Sequence, residues 1–310
     1  MNHLFSVVVI SGILTSMVRL ATPFLVAAIG ETFAQRSGVF NLGVDGIMLL
    51  GGFAAFYVVY HTGNLWLGIL ASAVVGLLLG LLMAFISVTL KAEQGISGMG
   101  IYMLGLGLSS LLLKLTFGTV ETVNGFPPIK IPLLGDIPFI GPILFRQPIL
   151  VDCAFLLVPI AWFVLEKTTL GLKIKAVGQT PAAADSLGIN INQIRYFTVS
   201  LGSILAGIAG ASLTICLLNT FQDNITNSMG FIAVALVYFG GWNPFGVMAG
   251  ALIFSFVNSA QLWMQVLGIK IPNEFALMLP YLLTIAALTV KVNRARRPDA
   301  LNQPFERGES

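Results

Sequence analysis

Trp66–Leu90 reads WLGILASAVVGLLLGLLMAFISVTL and contains no charged residue. At about 1.5 Å of rise per residue, a helix of this length spans a bilayer core of about 30 Å. In lipid the backbone must satisfy its own hydrogen bonds, so only a helix or a closed barrel can cross. The run is continuously apolar and lacks the short alternating segments of a barrel strand. It therefore predicts a transmembrane helix. Gly76 and Gly80 give it a GxxxG spacing suited to close helix packing.

Working outward, the same reading finds Leu4–Ile29, Phe40–Tyr60, Gly98–Phe117, Leu150–Leu165, Phe197–Leu218, Met229–Gly241, Phe245–Leu267 and Phe275–Val290. The expected fold is an all-α polytopic transmembrane bundle of about nine spans, eight to ten, forming a single domain over residues 1–310. The range reflects Leu4–Ile29, whose Arg19 and Pro23 fit either one kinked helix or two pieces. No basic n-region precedes that run, so it is expected to be retained and not cleaved. Composition agrees: 56% of the 310 residues are hydrophobic and 9% charged, against about 25% charged in soluble domains.

The net charge of +3 does not suggest a nucleic-acid surface. Basic residues concentrate in the 166–196 loop (Lys167, Lys173, Lys175, Arg195) and the 291–310 tail (Lys291, Arg294, Arg296, Arg297). Such loops stay on the cytoplasmic side. An even number of crossings must then separate loop from tail, so Met229–Gly241 has to cross despite its shortness. Lys91–Glu93 falls inside and the proline-rich Gly118–Pro148 outside.

The loop reads EKTTLGLKIKAVGQTPAAADSLGININQIRY. Thr180 and Pro181 signal a helix start, as N-cap and first helical residue. Ala182, Ala183 and Ala184 favour helix, Asp185, Ser186 and Leu187 continue it, and Gly188 can end it in a left-handed turn. Two turns are too short to stand alone, so this helix needs a docking surface.

Asp45 admits two readings, a helix-end charge or a residue of a transport pathway. Arg19 either snorkels or pairs with Glu31. The other small-residue patterns, among them Ser203-Gly207-Ala211 and Ala206-Gly210, serve internal packing or a subunit interface. Gly95–Gly107 and the short Met229–Gly241 either pack tightly or mark a mid-membrane pathway. Cys153, Cys216, His3 and His61 form no disulfide or metal pattern, and no catalytic residues or metal ligands are expected. There is no GxxxxGK[ST], so ATP binding through a P-loop is excluded.

Several stretches together resemble one family. They are Gly30–Gly51, Thr168–Gly188, Leu201–Ala211, Gly230–Phe254 and Met278–Ile285. In order and content the chain is similar to the permease subunits of bacterial ABC importers for branched-chain amino acids, simple sugars and nucleosides. The Gly240-Gly-Trp-Asn-Pro244 run and Leu277-Met-Leu-Pro-Tyr281 look most like the nucleoside branch. An Ala-Leu-Asn run frequent in the family is replaced here by Gly100-Ile101-Tyr102.

The resemblance implies a multi-pass protein of the bacterial inner membrane that forms a translocation pathway with a second, homologous permease. It is not itself an enzyme and carries no cofactor. ATP and magnesium bind a separate ATPase subunit, and a substrate-binding lipoprotein delivers the ligand outside. It makes Thr180–Gly188 the cytoplasmic coupling helix, with Asp185 facing a basic residue of the ATPase and Lys173 and Lys175 near lipid headgroups. For a nucleoside, Tyr102 and Phe56 are candidates for stacking on the base, and Asn41 and Asp45 for the ribose. Sugar and branched-chain amino acid permeases are the alternatives, and an ion-coupled secondary transporter a more distant one.

Overall fold

A computed structural model describes residues 7–118, 121–130, 137, 140–267, 278 and 297–305. Among them, seven helices are long and apolar enough to cross a membrane. They are α1 (Val7–Arg36), α2 (Val44–Thr62), α3 (Leu65–Ala84), α4 (Gln94–Thr116), α6 (Ile149–Lys167), α9 (Ile191–Ser212) and α11 (Pro244–Val266). The last turns of α3 and α9 widen into π-helical turns at Phe85–Thr89 and Leu213–Leu217. Short helices α5 (Ile140–Leu144), α7 (Thr169–Gln179), α8 (Pro181–Ser186) and α10 (Met229–Phe239) complete the set.

The expectation of about nine spans thus becomes seven long helices among the described residues. α1 runs unbroken through Pro23, so the first apolar stretch is a single helix. α10 has 11 residues, about 16 Å of helix and half a bilayer core. The expected span Phe275–Val290 lies outside the described residues.

α1, α2 and α9 form the centre, and α3, α4 and α6 present leucine-rich outer faces. With lipid as apolar as leucine, close backbone contact holds such a bundle together. The small-residue stripes supply that contact within the chain. A Cβ at Gly76 would lie 2.4 Å from the Ser203 carbonyl oxygen, and one at Gly51 would lie 2.6 Å from the Gly207 Cα.

Two ends can be told apart by their contacts. At one, β1 (Pro128–Lys130) pairs antiparallel with β2 (Arg146–Pro148), and Thr122 bridges Thr220. Here Arg19 donates through Nε to Gln147 Oε1 at 2.7 Å. Arg19 does not pair with Glu31, which sits about 18 Å further along the same helix. Glu31 instead accepts from Gln35 Nε2 at 3.1 Å and from the Asn41 N–H at 3.1 Å. At the other end gather the C-terminus of α1, the 166–196 loop, the N-termini of α4 and α9, Trp242 and residues 297–305.

Candidate functional site

The loop end is built on α7, an 11-residue amphipathic helix. Thr168 caps it, its Oγ1 accepting the Gly171 N–H at 3.2 Å. Ile174, Val177 and Gly178 are buried. A Cβ on Gly178 would fall 2.0 Å from the Arg36 carbonyl oxygen, so glycine lets α7 lie directly on the end of α1. Sequence reading found only the shorter helix after α7, although Thr168 before a 3.6-residue apolar period signals this one.

α8 follows and is shorter than expected, Pro181–Ser186 with Leu187 as its C-cap. The Thr180 side chain makes no capping bond; its backbone (φ −138°, ψ 79°) breaks the chain between α7 and α8 and Pro181 alone opens the helix. Gly188 stands at φ +79°, and the Ile189 N–H closes back on the Ala184 carbonyl at 3.1 Å. Ala184 is buried on Val177 and Ile191. Ala182, Ala183, Ser186 and Gly188 are exposed, and Pro181 and Asp185 half-buried. Leu187 is 81% exposed, an apolar side chain on a polar end of the molecule.

Ion pairs tie this platform to the bundle. Glu166 takes Arg36 at 3.7 Å and Lys175 at 2.6 Å, so Lys175 has a protein partner in place of the expected headgroup. Arg36 also donates from Nε to the Trp242 carbonyl at 2.9 Å, and Trp242 Nε1 donates to Gln35 Oε1 at 2.9 Å. Arg195, expected as a loop cation, is buried in the first turns of α9. It donates to the Ser37 carbonyl at 3.3 Å and, through Nη1, to the Gln303 carbonyl at 3.1 Å. A cation at carbonyls just past the end of α1 is favourably placed.

Residues 297–305 bind across this end. The Ala300 N–H donates to Gly178 O at 2.9 Å and the Asn302 N–H to Gly38 O at 3.1 Å. Gln179 Nε2 donates to Arg297 O at 3.1 Å. Leu301 is buried in the main core, and Phe305 packs beneath α8. Lys291, Arg294 and Arg296 of the expected tail lie outside the described residues. A chain ending at Arg297 keeps the Gln179 bond, loses those of Ala300 and Asn302, and leaves the buried Arg195 without its Gln303 acceptor, which costs up to about 3 kcal/mol. Its thermal unfolding midpoint in detergent is expected to fall accordingly, with faster proteolysis of the 166–196 loop.

The second cluster surrounds Asp45 in the first turn of α2. Asp45 is fully buried. Its Oδ1 accepts the Gly230 N–H at 2.7 Å and its Oδ2 accepts from Thr226 Oγ1 at 3.1 Å. The carboxylate therefore sits at the N-termini of α2 and α10 together, where both helix dipoles favour negative charge. Asn41 lies close by, its Oδ1 accepting the Gly43 N–H at 2.8 Å. Tyr102 reaches the same region because Gly46 packs against its backbone, and its ring meets Phe231 edge-on at 4.9 Å. Phe56 does not join them. It is buried about three turns further along α2, between Phe117 at 5.3 Å and Phe221 at 6.3 Å. Thr226 and Gly230 escaped sequence reading, since only the folded bundle brings them to a residue so distant in the chain.

The sequence that builds this bundle has counterparts among known proteins. The family model described as branched-chain amino acid transport system, permease component, matches residues 13–288. The chain belongs to this family.

The permease is 37% identical over 300 residues to the guanosine ABC transporter permease protein NupQ of Bacillus subtilis, covering 93% of this chain and 94% of the relative. It is 35% identical over 299 residues to the nucleoside ABC transporter permease protein NupC of Lactococcus lactis, with 93% and 94% covered. It is 36% identical over 327 residues to the putative glucose ABC transporter permease protein TsgC13 of Haloferax volcanii, with 96% and 98% covered. No solved structure matches. The chain is a permease component of an ABC importer and a multi-pass protein of the bacterial inner membrane.

Proposed function

We propose that the chain is one of two permease subunits of an ATP-driven nucleoside importer, with α8 as the helix that receives the ATPase. The observation that carries the substrate is the likeness to the guanosine and nucleoside permeases over more than nine-tenths of the chain. The glucose relative supports a sugar as the second reading. The energy source lies on another subunit, since the chain has no P-loop. A second permease and an extracytoplasmic binding lipoprotein complete the assembly.

The loop end is assigned to the cytoplasm by its cations. Arg36, Lys91, Lys167, Lys173 and Lys175 belong to that end, and positive residues are retained inside. After α9 the chain turns at Thr220 and returns to Trp242 at the loop end, so the 221–228 stretch and α10 together make one crossing. Lys173 remains a candidate for headgroups. α8 offers a small-residue face of Ala182 and Ala183 beside exposed Leu187, on a base braced by α7, α9 and residues 297–305. Tyr102, half-buried next to Asp45, is the ring placed for a base; Asn41 and Asp45 offer polar groups for the sugar.

The test is reconstitution with the second permease, the ATPase and the binding protein in liposomes. Labelled guanosine is expected to accumulate only with ATP, and unlabelled nucleosides to compete while glucose and leucine do not. Accumulation of glucose in preference to guanosine would overturn the substrate assignment.

A further inference from the structure

Among the described residues, a run of irregular backbone lies level with α2, between the two ends of the bundle. Beyond Thr220 the chain returns through Phe221–Ser228 before α10 begins. Asn219, Asn224, Asn227 and Ser228 hold φ values of 56°, 51°, 42° and 67°, a conformation that L residues adopt reluctantly and asparagine most readily. Non-helical backbone at this depth is tolerated where protein buries it. Here Phe221, Ile225 and Thr226 are buried against one face of α2. That face carries Asp45, Leu49, Phe53 and Phe56 on successive turns. The Phe221 ring lies 5.4 Å from Phe53.

α10 is held at both ends and packs along its length on the main core through Ala233, Val234, Leu236 and Val237. At its start, Ser228 provides no side-chain cap, and Asp45 accepts the Gly230 N–H in its place. The fit is close, since a Cβ on Gly230 would lie 2.3 Å from the Asp45 nitrogen. At its finish, Gly240 and Gly241 precede Trp242, with Gly241 at φ +60°. Trp242 is bonded to Gln35 and Arg36. Arg36 pairs with Glu166, and Glu166 with Lys175 on α7, directly beneath α8. An unbroken series of polar contacts therefore joins α8's base to the far end of a short helix whose other end closes on α2.

We infer that α10 and the Phe221–Ser228 stretch are the gate of the translocation pathway, with Asp45 as its latch, moved from the cytoplasmic loop through the Arg36–Trp242 contact. The inference rests on the reading of α8 as the ATPase-receiving helix. A rigid 11-residue rod held at its two ends changes position without unfolding. Release exchanges the two hydrogen bonds on Asp45 for others, such as those offered by the hydroxyl groups of a passing ligand, and shifts the contacts of α10 with the main core. Closed, the Leu49, Phe53, Phe56, Phe221 and Ile225 side chains block the way above Asp45.

The experiment places cysteines at Leu49 and Ile225, in a Cys153→Ser, Cys216→Ala background, in the full importer with its ATPase and binding protein. With the disulfide formed and its completeness checked by mass, guanosine uptake is expected to drop to background while ATP hydrolysis persists. Dithiothreitol restores uptake. Equal uptake by the cross-linked and reduced forms overturns the gate. Thr226→Val tests the latch separately, because it removes one of the two bonds on Asp45 and leaves α10 intact. Substrate-independent ATP hydrolysis is expected to rise severalfold; an unchanged rate overturns the role of Asp45. If the importer that keeps Leu49 and Ile225 takes up no guanosine, the nucleoside reading fails, and the Thr226→Val hydrolysis rate still decides the latch.

Discussion

Replacing Leu187 by glutamate is expected to abolish stable association with the ATPase while the permease itself folds as before. Leu187 is 81% exposed and caps a six-residue helix, so its side chain contributes little to the monomer. An apolar side chain displayed at the end of a short helix on a polar surface is a typical anchor for a partner. Burying a leucine at an interface contributes about 2 kcal/mol, and a glutamate adds the cost of an unpaired charge. The loss is therefore at least about thirtyfold in affinity. Copurification of the ATPase and ATP-dependent uptake measure it, with the thermal midpoint of the isolated permease as the check on folding. Normal uptake by the variant would remove α8 from the coupling role.

Gly210→Val is expected to have the largest effect on the bundle itself. A Cβ at Gly210 would stand 1.9 Å from the Met48 carbonyl oxygen and 2.9 Å from the Gly52 nitrogen. Both are backbone atoms of α2, which cannot swing aside as a side chain does. Valine must force α2 and α9 apart along their contact, at a cost of at least about 3 kcal/mol. Gly107 provides the comparison. It lies on the exposed face of α4 with nothing within 4 Å, so Gly107→Val is expected to shift stability by no more than about 0.5 kcal/mol. Thermal unfolding of both variants in the same detergent separates packing from any general intolerance of valine.

The long helices were legible because length and apolarity alone define them. Trp66–Leu90 was placed within a few residues, as α3 and its terminal π-turn. The glycine stripes were visible too, but sequence left internal packing and subunit contact open; contacts such as Gly76 with Ser203 settle them as internal. What sequence could not give was the meaning of α10. Charge parity required Met229–Gly241 to cross, whereas the structure divides the 221–241 stretch between irregular backbone and an 11-residue helix. The division depends on Asp45, whose partners Thr226 and Gly230 lie 181 and 185 residues away. Arg195 shows the same limit. It was counted among the cations of the basic loop, but α9 starts at Ile191 and carries it under residues 297–305. Thr180 shows a local one: the hydroxyl is in the right place in sequence, and the backbone turn it occupies leaves it without a capping bond.

Residues 297–305 also set a schedule. They follow α1–α11 in the chain, so a ribosome has made every one of those helices before the segment that ties Gly38, Gly178 and Arg195 together emerges. Until then the base of α8 is held by fewer bonds, and Arg195 lacks its bond to Gln303. A chain cut short by premature termination therefore reaches the membrane with this end of the bundle unfinished.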